Sequence, residues 1–98
     1  MRIDVTGKGM DVTDAIQRYA IQKVDKLPRY YDGVQEIDVV MEQQKAIFMV
    51  EIRVESEKHD TFVAKSEGDD VYGCIDTSTD KMQRQLRDFK EKLKNTKR

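Results

Sequence analysis

The chain has 98 residues, 38% of them charged and 38% apolar, with one cysteine and a formal net charge of −1. That length supports one domain, residues 1–98, and the apolar residues are periodic rather than scattered, which argues against disorder. A lone Cys74 excludes an internal disulfide framework or a cysteine-built zinc site and fits a reducing cytoplasm, and no run approaches the roughly 20 apolar residues of a membrane-spanning helix.

In chain order, residues 2–7 (RIDVTG) alternate Ile3 and Val5 with polar neighbours, as a half-buried strand does. Gly7 and Gly9 mark a turn. In DVTDAIQRYAIQKVDKLP, Val12, Ile16, Tyr19, Ala20, Val24 and Leu27 share one helical stripe. Asp11 or Thr13 can cap this helix, and Pro28 predicts its end at Leu27. RYYDG is an exit loop with Asp32-Gly33 as its turn. Three strands follow. VQEIDVVME points Ile37, Val39 and Met41 one way; AIFMVEIRVESE does the same with Ala46, Phe48, Val50, Ile52 and Val54; DTFVAKSE does so with Phe62 and Ala64. The links QQK and SEKHD are short enough for hairpins. From Asp69 the period changes. Val71, Ile75, Ser78 or Thr79, Met82, Leu86, Phe89 and Leu93 recur every three or four residues, which predicts a helix over about 70–95.

This order predicts an α+β two-layer sandwich, β-α-β-β-β-α, with both helices packed on one face of a four-stranded sheet. The outer sheet face is then mostly polar. Val40, Ile47 and Met49 are exceptions that could form a contact patch, although scattered exposed apolar residues are ordinary.

Charge is divided unevenly along the chain. Residues 1–80 hold ten basic and seventeen acidic residues, about −7; from Lys81 onward there are eight basic residues against Asp88 and Glu91, about +6. With Met82 and Leu86 facing the sheet, Lys81, Arg84 and Lys92 fall on one flank and the outward face, while Arg87, Lys90, Lys94 and Lys97 fall on the other flank. Lys23, Lys26 and Arg29 end the first helix and can extend this surface. Terminal lysines favour the helix dipole, but two or three cations would do that. The remainder points to a polyanion. No zinc finger, helix-turn-helix, GXXG loop or aromatic RNA-recognition strand is present. A double-stranded RNA-binding domain grips phosphate near the start of its last helix, where this chain has Asp69, Asp70, Asp76 and Asp80. What remains is recognition of folded RNA by shape and phosphate. An acidic protein partner for the basic helix is the alternative.

No catalytic constellation emerges, so neither an enzyme, a cofactor nor a small-molecule substrate is expected. His59 is alone in a hairpin turn. Cys74 reads as a small core filler. Asp69-Asp70 suits a helix start and Asp76-Asp80 is a helical i, i+4 pair, so no metal is expected at either. GKG (7–9) lacks the length of a phosphate-binding loop. Tyr30-Tyr31 could stack on a base, but packing under the exit loop is favoured.

Three blocks, VTGKGMDVTDAI, QKVDKLPRYYD and EGDDVYGCIDTSTDKMQRQLRDFKEKLK, resemble the bacterial ribosome hibernation factors, the family of hibernation promoting factor and ribosome-associated inhibitor A. The resemblance spans essentially the whole chain, and its last block is the most specific. It implies the β-α-β-β-β-α fold and binding in the mRNA and tRNA channel of the small ribosomal subunit. The contacts would be rRNA phosphates, with ribosomal proteins as a second candidate, and idle ribosomes would stay silent under stress. By position it implies contacts from Lys23, Lys26 and Arg29 on the first helix and from Lys81, Arg84, Arg87, Lys90 and Lys94 on the last. The free protein is expected to be a monomer. Asp88 stands where the family commonly has a basic residue, and Thr77-Ser78-Thr79 replaces a more aliphatic stretch, which should thin the core. Longer members carry a further C-terminal domain that pairs ribosomes. This chain resembles the short form or the N-terminal domain.

Overall fold

In the computed structural model, which describes residues 1–96, four strands form one sheet in the order β1-β2-β3-β4. β1 (Arg2–Lys8) is parallel to β2 (Val34–Gln44); β2 pairs antiparallel with β3 (Ile47–Ser56), and β3 with β4 (His59–Gly68). The parallel pair needs a crossover, which α1 (Asp14–Val24) provides. The chain then ends in α2 (Val71–Thr96), which at 1.5 Å per residue is about 39 Å long. Both helices cover one sheet face, as the sequence leads one to expect. The predicted strand alternation is borne out: Ile37, Val39, Met41, Val50, Ile52, Val54, Phe62 and Ala64 are buried against Ala20, Val24, Leu27, Ile75, Met82 and Leu86. Each Val, Leu, Ile, Met or Phe among them contributes about 1.5–3 kcal/mol by leaving water.

The first helix is shorter than its apolar stripe suggests. Thr13 caps it, its Oγ1 accepting the Ile16 N–H at 3.1 Å, and it stops at Val24 rather than Leu27. Leu27–Arg29 forms a separate 3₁₀ turn. Pro28 has no N–H for the Val24 carbonyl four residues back, and its ring would clash with that oxygen. Leu27 is still fully buried, so the stripe holds while the helix does not. A second correction concerns Ala46. It is exposed in a two-residue Lys45-Ala46 turn, with Lys45 at a φ of 56°, and β3 begins one residue later.

Asp70 starts α2: its Oδ1 accepts the Tyr72 N–H at 3.1 Å and its carbonyl accepts the Cys74 N–H. The Thr77-Ser78-Thr79 stretch puts two hydroxyls in the core. Thr79 donates to the Ile75 carbonyl at 2.7 Å. Ser66 donates to the Cys74 carbonyl at 2.6 Å, and the single proton of Ser78 is shared between Ser66 Oγ (2.8 Å) and the Val50 carbonyl (3.1 Å). A small bonded polar seam thus stands where apolar side chains could have been, and no buried side-chain polar atom among the described residues is left without a partner. Beside it, burial pushes the Cys74 thiol above its usual range, as suits a core filler.

Candidate nucleic-acid interface

Two contacts fix the rotation of α2. On one side, Asp76 reaches α1, where Tyr19 Oη donates to its Oδ1 at 2.7 Å and Lys23 Nζ lies 3.3 Å from the same oxygen. On the other side, Lys81 Nζ donates to the Lys65 carbonyl at 2.8 Å and Gln85 Nε2 to the Val63 carbonyl at 2.9 Å. These two side chains cap the outer edge of β4, which would otherwise expose unpaired carbonyls. At about 100° per residue, Arg87, Lys90 and Lys94 then share the side of Asp76, toward α1, and Arg84 points straight away from the sheet. All four are exposed, and none makes an ion pair among the described residues.

The other expected contacts are placed less uniformly. Lys23 is half-buried, paired with Asp76 and 5.8 Å from the centre of the Tyr19 ring. Lys26 and Arg29 are exposed but belong to the 3₁₀ segment, not to α1; that segment packs on α2, which keeps them beside its cationic flank. Lys81 stands on the opposite flank, held by the sheet edge. Lys97 lies outside the described residues. The structure therefore brings Lys23, Lys26, Arg29, Arg87, Lys90 and Lys94 to the helix-to-helix side, leaves Arg84 on the crest, and separates Lys81 from them.

At the far end of that side, α2 passes over the exit loop and the β3–β4 turn. A concavity of about 360 Å³ there is lined by residues 31–33, Glu57, Lys58, Lys90, Leu93 and Lys94. Lys58, in the left-handed region at a φ of 66°, is a cation that sequence reasoning missed. It lies in an acidic stretch more than thirty residues before Lys90, and nothing local signals the juxtaposition. Tyr31 forms the floor, buried, its hydroxyl donating to the Glu57 carbonyl at 2.9 Å. Gly33 permits this, because a Cβ there would lie 2.3 Å from the Tyr31 ring. Tyr31 therefore packs and does not present a stacking face.

His59 is exposed at the start of β4, its ring stacked on Phe62 at 3.8 Å and edge-on to Phe89. Among the described residues no group of three or more His, Cys, Asp or Glu side chains converges as metal ligands would. No helix among them is long and apolar enough to cross a membrane.

Residues 3–94 match the family model for Sigma 54 modulation protein / S30EA ribosomal protein. A ribosome hibernation promoting factor of Azotobacter vinelandii is 34% identical over 92 residues, which is 94% of this chain and 85% of that protein. The ribosome hibernation promoting factor of Escherichia coli K12 is 31% identical over 94 residues, 96% of this chain and 98% of that one. Among solved structures, a ribosomal subunit interface protein from Coxiella burnetii superposes with a TM-score of 0.81 at 28% identity, over 93% of this chain and 99% of its own. With a cationic two-helix surface on a fold shared almost end to end with these proteins, the chain belongs to the Sigma 54 modulation protein / S30EA ribosomal protein family.

Proposed function

We propose that this protein is a ribosome-associated hibernation factor that binds the small ribosomal subunit where mRNA and tRNA would lie, and silences it by occupying that space. The observation that carries this reading is the set of exposed cations Arg84, Arg87, Lys90 and Lys94 on α2, which make no ion pair among the described residues. The names and near-complete coverage of the relatives support the ribosome as the partner. Lys23, Lys26 and Arg29 extend the contact on the α1 side, and Lys81 contributes least because its ammonium already has a carbonyl. Fixed cations on a rigid helix suit a folded RNA, whose phosphates are also fixed, and releasing condensed counterions supplies the free energy. Sequence is not read. The action is steric, with no chemical step.

Co-sedimentation with purified small subunits across a salt series tests this. Engagement of about six phosphates should give a log–log slope of affinity on salt near −4 to −5, at about −0.7 to −0.9 per phosphate. No binding at low salt overturns the reading, and a shallow slope with binding to an acidic protein would replace it with the protein-partner alternative.

A further inference from the structure

The concavity at the loop end of α2 has two unlike walls. On one, Lys90 and Lys94 stand one helical turn apart beside Leu93; on the other, the exit loop supplies Asp32 and the β3–β4 turn supplies Glu57 and Lys58. All five charged side chains are exposed, and none makes an ion pair among the described residues. The lysines and the carboxylates therefore do not neutralise one another across the space they enclose.

The floor between the walls is fixed. The Glu57 N–H donates to the Gly33 carbonyl at 3.1 Å and the Tyr31 hydroxyl to the Glu57 carbonyl at 2.9 Å, which clamps the exit loop onto the turn. Tyr31 also meets Phe89 of α2 edge-on at 5.2 Å, so the helical wall is tied to the same floor. Burial, then the charges of Glu57 and Asp32, raise the Tyr31 phenol, which places both carboxylates near the floor. The cleft is preformed, and its volume of about 360 Å³ is within the usual span of small-ligand pockets.

A fitting ligand must carry both kinds of group. Inorganic phosphate would satisfy the lysines but set an anion against two carboxylates, and a basic peptide would meet three lysines. A nucleotide answers both walls. Guanine presents an imino and an amino hydrogen side by side on one edge, which a carboxylate with two oxygens accepts together. We propose that this cleft binds a single guanine nucleotide, its phosphate on Lys58, Lys90 and Lys94, its base edge on the carboxylates of Asp32 and Glu57, and its ring plane against Leu93. A free nucleotide and an unpaired guanosine of an RNA chain offer the same groups. The site shares Lys90 and Lys94 with the proposed RNA surface, yet it rests on the cleft and not on that reading: the cation row reads no sequence, whereas the cleft reads one base.

The test is an NMR titration of the ¹⁵N-labelled protein with guanosine 5′-monophosphate. Saturable amide shifts should concentrate on residues 31–33, 57–58 and 90–94. Adenosine 5′-monophosphate and inorganic phosphate should each bind at least about fivefold more weakly. Lys58→Gly, which suits the positive φ and removes the cation, should weaken guanosine 5′-monophosphate and phosphate alike. Combined Asp32→Asn and Glu57→Gln should abolish the preference for guanine over adenine. Tighter binding of both nucleotides to that variant would show that the carboxylates only repel phosphate, and would overturn the proposal. Equal shifts with inorganic phosphate, or shifts spread along α2, would reduce the effect to diffuse attraction and overturn it equally. An oligouridine with one central guanosine separates the sources: tighter binding than the mononucleotide with the same footprint assigns the site to RNA, and no gain assigns it to the free nucleotide. No ribosome enters the titration, so its failure leaves the hibernation reading standing, and failure of co-sedimentation leaves the cleft standing.

Discussion

Tyr19 on α1 and Asp76 on α2, 57 positions apart, are joined by a 2.7 Å hydrogen bond, and Lys23 shares the same carboxylate oxygen. Tyr72 adds an edge-on ring contact to Tyr19 with centroids 5.0 Å apart. This linkage sets the spacing between the two cationic segments, so it connects fold stability to the shape of the proposed RNA surface. Tyr19→Phe should cost about 1–2 kcal/mol in urea unfolding, the value of a partly exposed bond to a charged acceptor.

The same bond has an alkaline signature. The hydrogen bond to Asp76, then burial, raise the Tyr19 phenol above its ordinary value near 10, and burial raises Tyr31 in the same direction. Folded phenols that hold their protons longer than unfolded ones stabilise the fold fully below about pH 10, and that contribution is lost as pH rises through the folded values. Stability measured from pH 8 to 11.5 should fall less steeply in Tyr19→Phe than in the parent. Equal slopes would show that the bond does not persist in solution.

Arg84 and Lys81 are both exposed cations of α2, yet they differ in partners: Arg84 has no ion pair among the described residues and Lys81 holds the Lys65 carbonyl. Arg84→Ala should flatten the salt slope of ribosome binding by about 0.7–0.9, and Arg84→Glu should weaken binding about tenfold or more with an unchanged melting temperature. Lys81→Ala should leave the slope nearly intact and expose the β4 edge instead. Identical effects of the two alanine variants would contradict this division of the helix.

Phe89 closes the aromatic cluster at the loop end of the core, its ring 5.2 Å from Tyr31 and 5.6 Å from Phe62. It is half-buried, so Phe89→Ala should destabilise by about 2–3 kcal/mol in denaturant unfolding, below the cost for a fully enclosed ring. His59 and Tyr31 would lose their shared neighbour.

Glu55 faces Glu36 across β2 and β3, with Asp38 nearby, and the hydrogen bond that a protonated Glu55 donates to the Glu36 carboxylate, followed by the charge of Glu36, raises the Glu55 carboxyl above the ordinary range. A raised folded value means that its favourable contribution is present at low pH and lost as pH rises through that value. Glu55→Gln should therefore raise the melting temperature at pH 7 and have little effect near pH 4. A gain of the same size at both pH values would point to propensity rather than charge.

The sequence by itself determined the element order, the two-layer class and nearly every core position, because period 2 and period 3.6 patterns separate strand from helix wherever one face is buried and the other wet. It also located the cations on α2, since charge along a helix is read directly from composition and phase. Tertiary structure alone decided their partners. Asp76 engaged Lys23, the β4 edge captured Lys81, the 3₁₀ segment that carries Lys26 and Arg29 packed on α2, and Lys58 arrived beside Lys90 and Lys94. Periodicity is a local property of the chain, whereas ion pairs, edge caps and shared surfaces depend on distances between residues far apart in sequence, which exist only once the layers have packed.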